Sequence, residues 1–232
     1  AREAIRICVQ EKVELILAVG GGSVIDSAKC VAAGAAAPEI DPWIYLNREK
    51  DVEKALPIGV VLTLSASGSE MSSSCVITNE DGWLKRSFNS DLVRPLFAIC
   101  NPELTYSVSK FQTGCGTVDI MMHTLERYFS TDGEAPLTDR LAEGLLKEVI
   151  AAGRVADQNP TDYDARATLM WASSLSHNGL TGLGRDYFMS AHQIEHELSG
   201  MFDQVAHGAG LSVLFPAWCR YISKYAVDRF CQ

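Results

Sequence analysis

Leu15-Ile-Leu-Ala-Val19 runs directly into Gly20-Gly-Gly-Ser23, and a helical pattern follows over residues 24–37. Five consecutive apolar residues predict a short strand buried on both faces, as in a parallel sheet. The glycines predict a tight turn, and the segment after them repeats its apolar positions at 3.6-residue spacing. Strand, glycine turn and helix together bring backbone N–H groups to a helix N-terminus, where a phosphate can approach them closely. Ser23 and Asp26 also have the spacing of a capping box, which needs no ligand. The glycines do not follow G-x-G-x-x-G, so the turn alone is weak evidence for a nucleotide.

The flanking sequence continues the alternation. Residues 2–12 have helical spacing, and Pro57-Ile-Gly-Val-Val-Leu-Thr-Leu64 predicts the next strand. It leads into Ser65-Ala-Ser-Gly-Ser-Glu70-Met-Ser-Ser-Ser74, which carries more hydroxyls than a turn requires. A solvated serine loop accounts for the composition. Its place after a strand's C-terminal end, where open parallel sheets bind ligands, favours a binding loop. Residues 75–78 and 96–100 are further strand candidates with a turn at residues 79–82 between them. Lys85, just past that turn, is a candidate phosphate cation, though a surface lysine usually has no such duty.

From residue 111 onward the apolar period is helical, over 111–130, 137–156, 162–180, 186–202 and 208–229. The change falls at residues 107–110. It predicts an α/β domain, 1–108, with an incomplete parallel sheet, followed by an all-α domain, 109–232.

The chain has 232 residues, a formal charge of −9, and 47% apolar and 21% charged residues. That profile fits a globular protein and argues against nucleic-acid binding, which needs clustered Lys and Arg. No run approaches the roughly 20 apolar residues of a membrane-spanning helix. The seven cysteines are scattered without a C-x-x-C pair, so free thiols in a reducing cytoplasm are expected. The chain opens inside an amphipathic pattern, Ala1-Arg-Glu-Ala-Ile-Arg6, as though cut in mid-domain.

Three of the five histidines lie in residues 192–207. His192 and His196 stand four apart and share a helix face, as do Asp119 and His123. Asp119 and His123 with His192 or His196, and with His207, make a carboxylate and imidazole set suited to Fe²⁺ or Zn²⁺. Any one histidine is as readily explained by a backbone hydrogen bond. Two i,i+4 pairs and a fifth partner within 89 residues favour a metal. His177 has no such partner and is read as structural.

The chain resembles the iron-containing (group III) alcohol dehydrogenases, in their butanol dehydrogenase and aldehyde reductase branch. The resemblance rests on Leu17-Ala-Val-Gly-Gly-Gly-Ser-Val-Ile-Asp-Ser-Ala-Lys29, Thr63-Leu-Ser-Ala-Ser-Gly-Ser-Glu70, Val118-Asp-Ile-Met-Met-His-Thr-Leu-Glu-Arg-Tyr128 and residues 192–216. It implies a dehydroquinate synthase-like architecture, a cytoplasmic enzyme and assembly as a homodimer or larger homo-oligomer. The implied reaction moves a hydride between NAD(H) or NADP(H) and a short-chain alcohol or aldehyde such as butanol or butanal. Gly21, Gly22, Ser23 and Asp26 match the family's pyrophosphate loop, Thr63, Leu64, Ser67 and Ser72 its second cofactor loop, and Lys85 and Leu104 further cofactor contacts. Asp119, His123, His192 and His207 match its four metal ligands. His196 matches the histidine beside the nicotinamide. Met122, Phe188 and Phe202 are candidate pocket residues that core packing explains equally well.

The sequence departs from the family in two ways. It lacks both ends of the longer family pattern, including the region that separates NAD from NADP. It also carries one extra residue in Phe202-Asp-Gln-Val-Ala-His207. A metallohydrolase with the same ligands would have no use for the glycine and serine loops. A lyase of the dehydroquinate synthase type would call for several basic residues that the helical half lacks, and an inactive fragment is the non-enzymatic alternative.

Overall fold

The computed structural model describes residues 1–130 and 133–231. Its first part alternates, with α1 (Arg2–Gln10), β1 (Ile16–Gly20), α2 (Gly22–Ala36), α3 (Trp43–Leu46), β2 (Ile58–Leu62), β3 (Ser74–Asn79), β4 (Leu84–Asn89) and β5 (Phe97–Ile99). Helices follow: α4 (Lys110–Tyr128), α5 (Pro136–Gln158), α6 (Tyr163–His177), α7 (Ser190–Met201), α8 (His207–Ile222) and the short α9 (Val227–Phe230). A parallel sheet flanked by helices, then a helical region, is the arrangement that the alternation and its loss predict.

Strands β1, β2 and β5 form the parallel sheet in the order β1-β2-β5, with Ala18 opposite Val60 and Val60 opposite Ala98. Only one face is fully covered. Ala18, Ile58, Val60 and Leu62 pack under α2, while Leu17 and Val19 are 51% and 57% exposed. The strand at residues 15–19 therefore alternates in burial, contrary to the expectation of burial on both faces, because only its α2 side is covered in this chain. The second departure is β4. Residues 75–78 do not join the parallel sheet but form an antiparallel hairpin with β4, register Cys75 to Phe88 and Thr78 to Lys85. Gly82 and Trp83 turn it at φ of 87° and 54°. Leu84-Lys-Arg-Ser-Phe-Asn89 has too little apolar alternation to signal a strand, and its pairing with β3 overrides that.

The helices begin where capping chemistry allows. Ser109 accepts from the Gln112 N–H at the start of α4, Asp162 accepts from the Ala165 N–H at the start of α6, and Pro136 opens α5. Helices α4, α5 and α6 enclose Ile120, Val149, Ala156 and Leu169, and α4, α7 and α8 enclose Met122, Ala191 and Leu211. Each fully buried branched side chain, such as Ile120, stabilises the fold by roughly 1.5–3 kcal/mol. The helix expected over 208–229 ends at Ile222 and resumes as α9, and the segment expected from residue 186 becomes helical only at Ser190. No helix among the described residues is long and apolar enough to cross a membrane.

Candidate metal centre and nucleotide cleft

Helix α4 crosses behind the site and presents Asp119, His123 and Glu126 on one face. Helix α7 supplies His192, Glu195 and His196, and His207 is the first residue of α8. Asp119 Oδ1 is the convergence point. It lies 3.4 Å from His123 Nδ1, 3.4 Å from His192 Nε2 and 3.6 Å from His207 Nε2. Donors bound tetrahedrally at ~2.1 Å stand ~3.4 Å from one another, close to these separations from Asp119, and Asp119, His123 and His192 come within 4.8 Å of one another in a group that does not include His207. His123 Nδ1 is buried with no hydrogen-bond partner, as expected of a nitrogen meant for a ligand. One carboxylate, three imidazoles and no thiolate is a donor set that could hold Fe²⁺ or Zn²⁺.

Two carboxylates that the sequence reading passed over sit behind these rings. Glu126 contacts His192 Nδ1 and accepts from the backbone N–H groups of Ala191 and His192, at the start of α7. Glu195 contacts His207 Nδ1. Each glutamate lies three residues beyond a proposed ligand, His123 or His192, and that helical spacing on a buried face was the available signal. Glu195, His196 and His207 also come within ligand distance of one another. His207 Nδ1 pairs with Glu195 Oε2, however, and His207 Nε2 faces Asp119 Oδ1, which ties this trio to the same centre.

The charges follow from burial and neighbours. Against the cost of burial, Asp119 and Glu126 lift His192 to about 9 in the metal-free protein. Burial is opposed and outweighed at Asp119 too, where His192 and His207 hold the carboxyl below its usual range. His196 goes the other way. Burial first, then Lys85, His207 and His192, push it down to about 2, so the ring is neutral.

His177, read as structural, has a side-chain partner on another helix. Its ring lies 4.0 Å from that of His123, and Arg127 holds its Nδ1 at 3.2 Å while also donating to the His123 and Ser176 carbonyls. Its partner is a residue 50 positions away, which no local spacing reveals.

The fifteen positions assigned from sequence to cofactor, metal and proton all line one cleft of about 1400 Å³. Gly21, Gly22, Ser23 and Asp26 come from the α2 end, Thr63, Leu64, Ser67 and Ser72 from the loop after β2, and Lys85 and Leu104 from further on. Phe188 also lines it, whereas Met122 is buried in the core and Phe202 does not reach the cleft lining. The α2 N-terminus has no side-chain cap, so Ser23 and Asp26 do not form the capping box their spacing allows. Asp26 turns inward instead and accepts from Ser69 Oγ (2.5 Å) and the Val76 N–H (3.0 Å). Lys29, fully buried, donates to the carbonyls of Ser72 (2.9 Å) and Ser74 (2.8 Å) and to Ser72 Oγ. The serine loop is thus braced by α2 on one side. On the other, Ser173 accepts from the Gly68 N–H and Ser174 donates to Glu70.

Hairpin β3–β4 closes the cleft on the α7 side. Lys85 Nζ donates to Ser199 Oγ at 2.9 Å and lies 3.7 Å from Glu195, and Arg86 pairs with Glu197.

Comparison with known proteins identifies a matching lineage for both parts. Residues 1–102 match the family "Iron-containing alcohol dehydrogenase" and residues 113–232 match "Fe-containing alcohol dehydrogenase family, C-terminal". The chain is 45% identical over 221 residues to NADH-dependent butanol dehydrogenase A of Clostridium acetobutylicum, covering 95% of this chain and 56% of that protein. It is 40% identical over 216 residues to the NADPH-dependent aldehyde reductase YqhD of Escherichia coli, covering 92% and 56%. The crystal structure of NADH-dependent butanol dehydrogenase A from Thermotoga maritima superposes with a TM-score of 0.94 at 42% identity, over 98% of this chain and 57% of that one. The chain thus spans just over half the length of these relatives.

Proposed function

This chain belongs to the iron-containing alcohol dehydrogenase family, and from that premise we propose that the protein interconverts a short-chain alcohol and its aldehyde, butanol and butanal among them, with NADH or NADPH as hydride donor. The observation that carries this reading is the convergence of three imidazole nitrogens on Asp119 Oδ1 at one end of a glycine- and serine-walled cleft. We divide the chain into a nucleotide-binding part, 1–108, and a metal-binding part, 109–232, and assign the cleft between them to cofactor and substrate. Self-association as a homodimer or larger homo-oligomer is part of the same reading.

Asp119, His123, His192 and His207 would hold one Fe²⁺ or Zn²⁺. When bound, such an ion supplies Lewis-acid polarisation of the substrate oxygen. The remaining work falls to the chain. The uncapped N-terminus of α2 offers the N–H groups of Gly22 and Ser23 to a pyrophosphate, and the partial positive charge of the helix end favours it. Lys29 and Asp26 keep the serine loop in shape so that Thr63, Leu64 and Ser67 can lie along the dinucleotide. His196 is assigned to the proton. A neutral imidazole can accept at one nitrogen while losing a proton from the other, so a relay needs no stable cation. Phe188, 76% exposed, presents an apolar ring at the cleft and is assigned to the substrate side.

A spectrophotometric assay with butanal and NADH or NADPH, run beside elemental analysis, tests the reading. Oxidation of either cofactor by metal-loaded protein is expected. Bound metal without oxidation of either would count against dehydrogenase activity and in favour of hydrolytic or lyase chemistry.

A further inference from the structure

Two fully buried glutamates have no place in the ligand set and yet are matched in geometry. Glu126 sits on His192 Nδ1 and Glu195 sits on His207 Nδ1, and the opposite nitrogen of each ring faces Asp119 Oδ1, at 3.4 Å and 3.6 Å. We propose that Glu126 and Glu195 are the positioning residues of this centre, each fixing one ring by its Nδ1 so that Nε2 is delivered to the ion. The inference rests on the assignment of Asp119, His123, His192 and His207 as ligands.

The chemistry follows from what an ionised carboxylate can do. It only accepts, so the Nδ1 it touches must carry the proton, and in a neutral ring Nε2 is then the lone-pair nitrogen. His123 provides the contrast. It shows Nδ1 itself to Asp119 at 3.4 Å, and no hydrogen bond is made to that nitrogen.

Burial cost separates this role from simple packing. The side chains of Glu126 and Glu195 have no solvent exposure. Glu126 is compensated by two backbone N–H groups at the start of α7. Glu195 is not, because its Oε1 has no hydrogen-bond partner and its charged neighbour, Lys85, is 3.7 Å from Oε2. It fits only because Gly210 has no side chain, since a Cβ there would stand 2.8 Å from Oε1. A buried carboxylate oxygen left unpaired costs stability, so retaining one points to a task other than folding. The pairs also cross between elements. A glutamate on α4 sets a ligand on α7, and a glutamate on α7 sets a ligand on α8, so three helices share one alignment.

The test compares Ala and Gln variants at residues 126 and 195 with the parent chain. Zn²⁺ affinity is measured by competition with a chromophoric chelator, and imidazole N–H signals of the metal-free proteins by ¹H–¹⁵N NMR. Glu195→Ala and Glu126→Ala are each expected to weaken Zn²⁺ binding roughly 10- to 100-fold. Each should also lose the hydrogen-bonded Nδ1–H signal of its own histidine alone. Glu195→Gln keeps an acceptor for Nδ1–H and should recover part of the loss. Parent-like affinity in Glu195→Ala, or Gln as weak as Ala, overturns the proposal. Should Glu126→Ala fail to fold, for Glu126 also holds the first N–H groups of α7, the decision falls to residue 195 and to Glu126→Gln. Full Zn²⁺ retention by His192→Ala would refute the ligand assignment instead, which keeps the two failures apart.

Discussion

Gly208 lies so close to Cys115 that a Cβ built on it would stand 2.1 Å from the Cys115 carbonyl oxygen. This contact seats the first turn of α8, and with it His207, against α4. Backbone cannot move aside as a flexible side chain can. Gly208→Ala should therefore cost about 1–3 kcal/mol through overpacking. It should also weaken metal retention by shifting His207. Urea midpoints and metal content check the two effects, and an unchanged midpoint would show that α8 is free to relax.

The ligands and the relay residue should separate on metal analysis. His192→Ala and His207→Ala should each lose the ion on dialysis, since three donors that face Asp119 Oδ1 become two. His196→Ala should keep it while turnover falls, by roughly 10²- to 10⁴-fold if the ring handles the proton. Metal loss in His196→Ala matching that of the other two would reassign it as a ligand.

Gly22 tests the nucleotide loop. A Cβ there would stand 2.4 Å from Ser67 Oγ, so Gly22→Ala must displace Ser67 from the cleft wall. Affinity for NADH or NADPH, followed by nicotinamide fluorescence, should drop about tenfold or more, equivalent to about 1.4 kcal/mol. Unchanged affinity for both would remove this loop from the nucleotide site.

Lys29 supplies a pH signature. Burial lowers its ammonium to about 8 against the pull of Asp26, whereas the unfolded chain returns it to about 10.4. Between those values the unfolded state binds the extra proton, so the contribution of Lys29 to stability rises with pH, by up to about 1.4 kcal/mol per unit. Lys29→Met should be less stable throughout, because the Ser72 and Ser74 carbonyls lose their donor. The gap between parent and variant should widen from about pH 8 to 10 in urea titrations. Parallel curves would mean that Lys29 titrates normally.

Local patterning carried much of the fold. The strand at 16–20, the glycine turn and the long helices of the second half all follow from period and punctuation. Hairpin strand β4 did not, because Lys85-Arg-Ser87 reads as surface loop until β3 pairs with it. Asp119, His123, His192 and His196 stood out through i,i+4 spacing, and the family resemblance assigned His192 rather than His196 to the ligand set. His177, Glu126 and Glu195 were hidden for a shared reason. Their partners lie on other elements, 50, 66 and 12 residues away, and pairings of that kind are decided by helix packing.

The bonds from β4 to α7 join residues 114 and 111 positions apart, Lys85 to Ser199 and Arg86 to Glu197. The helical hairpins α4–α5 and α5–α6 need only short chain closures, whereas these contacts close loops of more than a hundred residues. Folding should therefore finish at the cleft. Helices α4 to α6 would be in place before β4 meets α7, and binding competence would arrive as the last kinetic phase, after most of the helical signal has already recovered.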